Sequence, residues 1–142
     1  MNMARARGSL LLATVTLLAS CGGSDSGTNP TVGNPPPAAQ ANDIDIVVGA
    51  STRGAGAFDP NPKTVALAGA ASAVVRWVNL DTSTDGYSTV GVTHHIVSND
   101  GTSFDTGNIE GNDAMSKTLA AGTYAYHCTI HPPMTGTLVI TP

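Results

Sequence analysis

The stretch "YAYHCTIHPPM" (124–134) holds one cysteine, two of the chain's four histidines and a methionine. Within it Cys128, His131 and Met134 are spaced C-x2-H-x2-M. A strand that ends at Cys128 and runs into a tight loop can turn all three side chains toward one point. Pro132 and Pro133 restrict the backbone of that loop. A thiolate, imidazoles and a thioether make a soft ligand set. It suits copper, as the composition of a His2Cys site with a weak axial methionine. Structural zinc sites prefer more thiolates and have little use for a thioether. A Cys–His nucleophile is the competing chemistry. It fares worse, because no Asn or Asp stands ready to orient the histidine and a strand-end cysteine three residues from its histidine has poor geometry.

The loop supplies one histidine, so a second must come from another strand. His94 and His95 lie side by side in "VGVTHHIVS" (90–98). In a strand, alternate residues share a face, which groups Val92, His94 and Ile96 against Thr93, His95 and Val97. This parity favours His94 as the inward residue, but apolar Val97 spoils the alternation and leaves His95 open. The same count puts Tyr124, Tyr126 and Cys128 on one face and His127 on the other. His127 is therefore expected to be solvated or supporting.

The elements that carry these residues are short. Only 11% of the chain is charged and 4% aromatic, with 16 Gly and 9 Pro. Such a composition favours strands and turns over long helices. Apolar runs recur at "DIDIVVGA" (43–50), "KTVALAG" (63–69), "SAVVRWVNL" (72–80), 90–98, "MSKTLAAG" (115–122), "TYAYHC" (123–128) and "TGTLVITP" (135–142). Between them stand the turn-formers "FDPNP", "STDG", "NDG", "EGND" and "HPP". No stretch shows sustained helical periodicity; a helical turn within 106–116 is the weakest expectation. Seven short strands at this spacing predict an all-β antiparallel sandwich or barrel. The acidic residues read as scattered, solvated surface.

The first residues have a different character. Arg5 and Arg7 precede the short apolar run "LLLATVTLLAS" (10–20), with the flanks of a signal peptide and too little length to span a bilayer comfortably. The run closes in "LASC" (18–21), which resembles the bacterial lipobox. That resemblance implies a leader at 1–20 and a lipid on Cys21. Residues 22–42, rich in Gly, Ser, Pro and Asn, cannot bury enough surface to fold and read as a tether. The folded domain is then 43–142. With Cys21 lipidated, Cys128 has no disulfide partner and needs another use. The net charge is -4 and becomes more negative once Arg5 and Arg7 are removed, so a nucleic-acid partner is not expected.

On these residues the chain resembles the cupredoxin family of small blue copper proteins. "YAYHCTIHPPMTGTLVI" is similar to the family's last strands and ligand loop, closest to the short-looped amicyanin-like branch. "THHIVSNDGTSFDTG" (93–107) is similar to its upstream histidine segment, with His94 in the ligand position. "RWVN" and "AAGTYAY" are similar to its early-strand and tyrosine-corner segments. The resemblance implies a Greek-key β-sandwich of seven to eight strands. It implies one copper held by His94, Cys128, His131 and Met134, cycling between Cu(I) and Cu(II). The expected protein is a monomeric one-electron carrier with no substrate of its own. It would be lipid-anchored in the bacterial cell envelope, facing the periplasm, on an outer membrane where one exists, and would serve redox partner proteins. A copper chaperone or store, or an electron-accepting subunit of an oxidoreductase, are the rival functions. Two departures stand out. Ile130 replaces a frequent proline and keeps its N–H, which is expected to reach the Cys128 sulfur. "DTSTDGYSTVGV" (81–92) is longer than a minimal member's segment.

Overall fold

The structure is a computed structural model that describes residues 35–82 and 91–142. The expected leader, Cys21 and residues 83–90 of the long segment before His94 lie outside the described residues. Nine strands occur among the described residues: β1 (Asp43–Ile46), β2 (Phe58–Asp59), β3 (Lys63–Ala66), β4 (Ala73–Asn79), β5 (His94–Ser98), β6 (Asp105–Ile109), β7 (Ala114–Leu119), β8 (Gly122–Cys128) and β9 (Thr135–Thr141). Two short 3-10 turns, Ala50–Thr52 and Gly54–Ala57, separate β1 from β2. One sheet runs β2-β1-β4-β7 and the other β3-β9-β8-β5-β6. The β1–β4 and β3–β9 pairs are parallel and the others antiparallel.

The two sheets face each other across one core. Alternation along each strand decides which side chains enter it. In β4, Val75 and Trp77 are fully buried while Val74 is 54% exposed. Ile44, Ile46, Ile96, Ile109, Tyr126, Leu138 and Ile140 complete the middle of the core. Full burial of such side chains stabilises the fold by about 1.5–3 kcal/mol each. Among the described residues, the few aromatic side chains are concentrated here. Trp77 lies 4.7 Å from Phe104 and 5.7 Å from Tyr126, and Phe58 lies 4.9 Å from Tyr126, centroid to centroid. Close packing leaves no room at Gly136, where an added Cβ would run into the Tyr126 ring. The tyrosine corner is formed as expected, with Tyr124 Oη donating to the Ala120 carbonyl at 3.0 Å.

Each of the seven apolar runs carries a strand, and β2 and β6 are additional. The helical turn considered within 106–116 is absent; β6 occupies Asp105–Ile109. Its sequence "DTGNI" reads locally as a turn because Gly107 sits at φ +67°. It is a strand because β5 offers it a partner, pairing His94 with Ile109 and His95 with Asn108.

Two asparagines tie loops to strands. Asn61 donates to the carbonyls of Ala55 (2.7 Å) and Thr135 (3.1 Å) and accepts from the Thr137 N–H (3.0 Å). Asn79, fully buried at the end of β4, donates to the Val92 (2.7 Å) and Ile109 (2.8 Å) carbonyls and accepts from the Asp81 N–H (2.9 Å).

Candidate metal centre

The end of β8 and the start of β5 lie side by side, with Ile96 opposite Cys128. Beyond Cys128 the chain turns back on itself. The Cys128 N–H donates to the Met134 carbonyl at 3.1 Å, and the Met134 N–H donates to the His131 carbonyl at 3.0 Å. These bonds fold 128–134 into a compact loop that delivers His131 over the start of β5. His94 Nδ1 and His131 Nδ1 each stand 3.7 Å from Cys128 Sγ, and 3.2 Å from each other. Cys128 and His94 are fully buried, and His131 is half-buried at the surface of the loop. The Met134 side chain is also fully buried, in the same core cluster as Cys128. Cys128 has no disulfide partner among the described residues.

Three soft or borderline donors converging on one point suit a transition-metal ion. Metal–nitrogen and metal–sulfur bonds of about 2.0 and 2.3 Å at roughly 120° would set N and S about 3.7 Å apart. The observed triangle has that size. One sulfur, two imidazoles and a nearby buried thioether fit copper better than zinc. No other group of three or more His, Cys, Asp or Glu donors converges in this way among the described residues.

No family model matches the chain, and no curated protein matches it. Solved structures do. A purple cupredoxin from Nitrosopumilus maritimus superposes with a TM-score of 0.54 at 24% identity, over 70% of this chain and 98% of that one. The chain has the cupredoxin fold. An oxidised methionine-to-leucine variant of amicyanin gives a TM-score of 0.51 at 20% identity, over 78% of this chain and 94% of that one. A reduced Cu(I) form of a proline-to-glycine variant of amicyanin gives 0.50 at 24%, over 72% and 84%.

On this cupredoxin fold the two histidines of β5 part ways. His94 points inward to Cys128. His95 points outward, and its Nε2 meets Asp105 Oδ1 at 2.6 Å on β6. Burial alternates along β5 as strand parity requires, despite the bulge between His95 and Val97. His127 faces away from the donors and bonds Asn99 Oδ1 through Nδ1 at 2.6 Å. Ile130 is 47% exposed, and among the described residues no hydrogen bond joins its N–H to Cys128. The expected bond to sulfur is not among the hydrogen bonds of the loop.

One residue at the site escaped the sequence reading. Asp81 was expected at the surface with the other acids, yet it is fully buried, and its Oδ2 lies 3.2 Å from His94 Nε2. Burial pushes the His94 pKa below its ordinary value, against the opposing pull of the Asp81 hydrogen bond. Burial thus favours the neutral imidazole, the form that can ligate a metal. Asp43 also departs from expectation. It is 9% exposed and forms a two-pronged contact with Arg76 at 2.6 and 2.8 Å. A signal for Asp81 did exist. Val75, Trp77, Asn79 and Asp81 share one parity and are all fully buried, so the inward face of β4 runs on past the strand's end, although Val78 between them is buried too.

Proposed function

We propose that this protein is a type 1 copper protein that carries single electrons. The observation that carries the reading is the triangle of His94 Nδ1, Cys128 Sγ and His131 Nδ1 inside a cupredoxin sandwich, with Met134 buried beside it. His94, Cys128 and His131 would hold the ion, with the Met134 thioether as a further, weaker donor. Bound copper supplies a Cu(I)/Cu(II) couple. The protein's part is to hold the donors still and dry. His94 and Cys128 are fixed on neighbouring strands of one sheet, and the loop's internal hydrogen bonds fix His131 and Met134 relative to them. Donors that need not rearrange between oxidation states permit fast electron exchange.

His131 is the only one of the four that reaches the surface. Exposed Ile130, Pro132 and Pro133 flank it. An apolar rim around one ligand edge suits brief docking with a redox partner protein, and electrons would pass through that imidazole.

The test is to add Cu(II) to the purified metal-free protein and record its visible spectrum. An intense blue or purple band is expected, and it should vanish in Cys128→Ser. A colourless protein, or a band that survives the substitution, sinks the assignment. The envelope location and the lipid anchor rest on "LASC" and the tether that follows it. Mass spectrometry of the mature N-terminus tests them; an unmodified Cys21 would end the anchor reading.

A further inference from the structure

The His94–Asp81 contact invites a question that the ligand set leaves open. His94 is approached from both sides. Its Nδ1 faces Cys128 and His131, and its Nε2 faces the Asp81 carboxylate. Both side chains are completely buried. A buried carboxylate needs donors, and this one is gripped from a distant part of the chain. The Gly49 N–H donates to Oδ1 at 2.9 Å and the Ala50 N–H to Oδ2 at 3.2 Å. Gly49 sits at φ +72°, the left-handed conformation that lets two successive N–H groups turn toward one anion. The Asp81 backbone is pinned as well. Its N–H donates to Asn79 Oδ1 at 2.9 Å, and its carbonyl accepts from the Val92 N–H at 2.8 Å. Gly91 permits that second contact, since a Cβ there would meet the Asp81 carbonyl at 2.5 Å.

We propose that Asp81 is a positioning residue for the metal centre, which fixes the His94 tautomer and lowers the reduction potential. This rests on the copper reading given above. Both Asp81 carboxyl oxygens already accept from backbone N–H groups, so at the Asp81–His94 contact the carboxyl is the acceptor and the proton belongs on His94 Nε2. That choice leaves the Nδ1 lone pair facing Cys128 and His131, where a metal ligand must present it. A fully buried negative charge one imidazole away from the ion also favours the more positive oxidation state. Asp81 thus does two things at once through a single contact: it aims the ligand and biases the couple toward Cu(II).

Two measurements test this. The first uses the metal-free wild-type protein and needs neither copper nor a variant. Long-range proton–nitrogen NMR of the His94 ring should show the proton on Nε2, and a proton on Nδ1 overturns the proposal. The second compares copper-loaded wild type with Asp81→Asn, which keeps the size and removes the charge. At a fixed ambient potential the ratio of reduced to oxidised protein should rise at least tenfold, equivalent to about 59 mV for a one-electron couple. A midpoint potential that is unchanged or falls in a variant that still melts cooperatively also overturns it. A purely structural role would lower the melting temperature and leave the potential in place. Should Asp81→Asn fail to fold, the wild-type tautomer decides. A wild-type protein that stays colourless with Cu(II) would defeat the copper reading, while the tautomer result would stand by itself.

Discussion

Asn79 offers a test of the scaffold that does not depend on any metal. Replacing it with leucine keeps the volume and removes three hydrogen bonds. It strips partners from the Val92 and Ile109 carbonyls and from the Asp81 N–H. Each bond is worth roughly 0.5–1.5 kcal/mol net, and a buried backbone group left without a partner costs more. Their sum is about 3 kcal/mol or above. In a domain of this size each kcal/mol moves the melting temperature by about 4–8 °C, so Asn79→Leu should lower it by roughly 12–24 °C. The assay is thermal unfolding of the metal-free protein, followed by near-ultraviolet circular dichroism of the Trp77 environment. A fall of less than about 4 °C would refute the reasoning. It would mean that the freed groups find other partners, and that Asn79 does not tie β4 to the segments flanking His94.

Two further substitutions probe packing and charge. Gly136→Ala should cost about 1–3 kcal/mol by forcing a methyl against the Tyr126 ring, read as a lower midpoint in denaturant; an unchanged midpoint would show that the ring can move aside. Asp45 lies directly opposite Asp59 in the β1–β2 pair, and its pKa is raised by burial and by the charges of Asp43 and Asp59. A raised carboxyl pKa destabilises the folded state above that pKa and has no effect once both states are protonated. Asp45→Asn should therefore stabilise the protein by about 0.2–1 kcal/mol at neutral pH. The gain should fade as the pH falls through the carboxylate range, and a gain independent of pH would contradict the charge argument.

The centre was largely legible in the sequence because its donors are concentrated. Cys128, His131 and Met134 share one loop, and His94 follows from strand alternation that survives a bulge. The strands of the core were legible for the same reason, since each buries one face of a β-branched run. What stayed hidden depends on partners remote in the chain. β6 looks like a turn until β5 pairs with it. Asp81 looks like any surface acid, because the backbone groups that make its burial tolerable sit at Gly49 and Ala50, more than thirty residues earlier. Ile130 failed differently. Its residue type leaves an N–H available, but which acceptor a loop amide meets is set by how the loop closes, here through the Cys128–Met134 and Met134–His131 bonds, and not by residue type.

The clamp made by Asn61 has a wider consequence. It joins a region that contributes no ligand, held through the Ala55 carbonyl, to the first residues of β9, just past Met134. Gly54 lies close to the Pro133 carbonyl, and Gly49 with Ala50 grips the carboxylate behind His94. Residues 49–61 thus form a backing plate against which both halves of the centre are braced. If the centre carries electrons as proposed, the stiffness of this plate would help decide how little the donors shift when charge arrives or leaves, and hence the reorganisation energy. On that reading, variation in this plate would retune the rate while every ligand stayed the same.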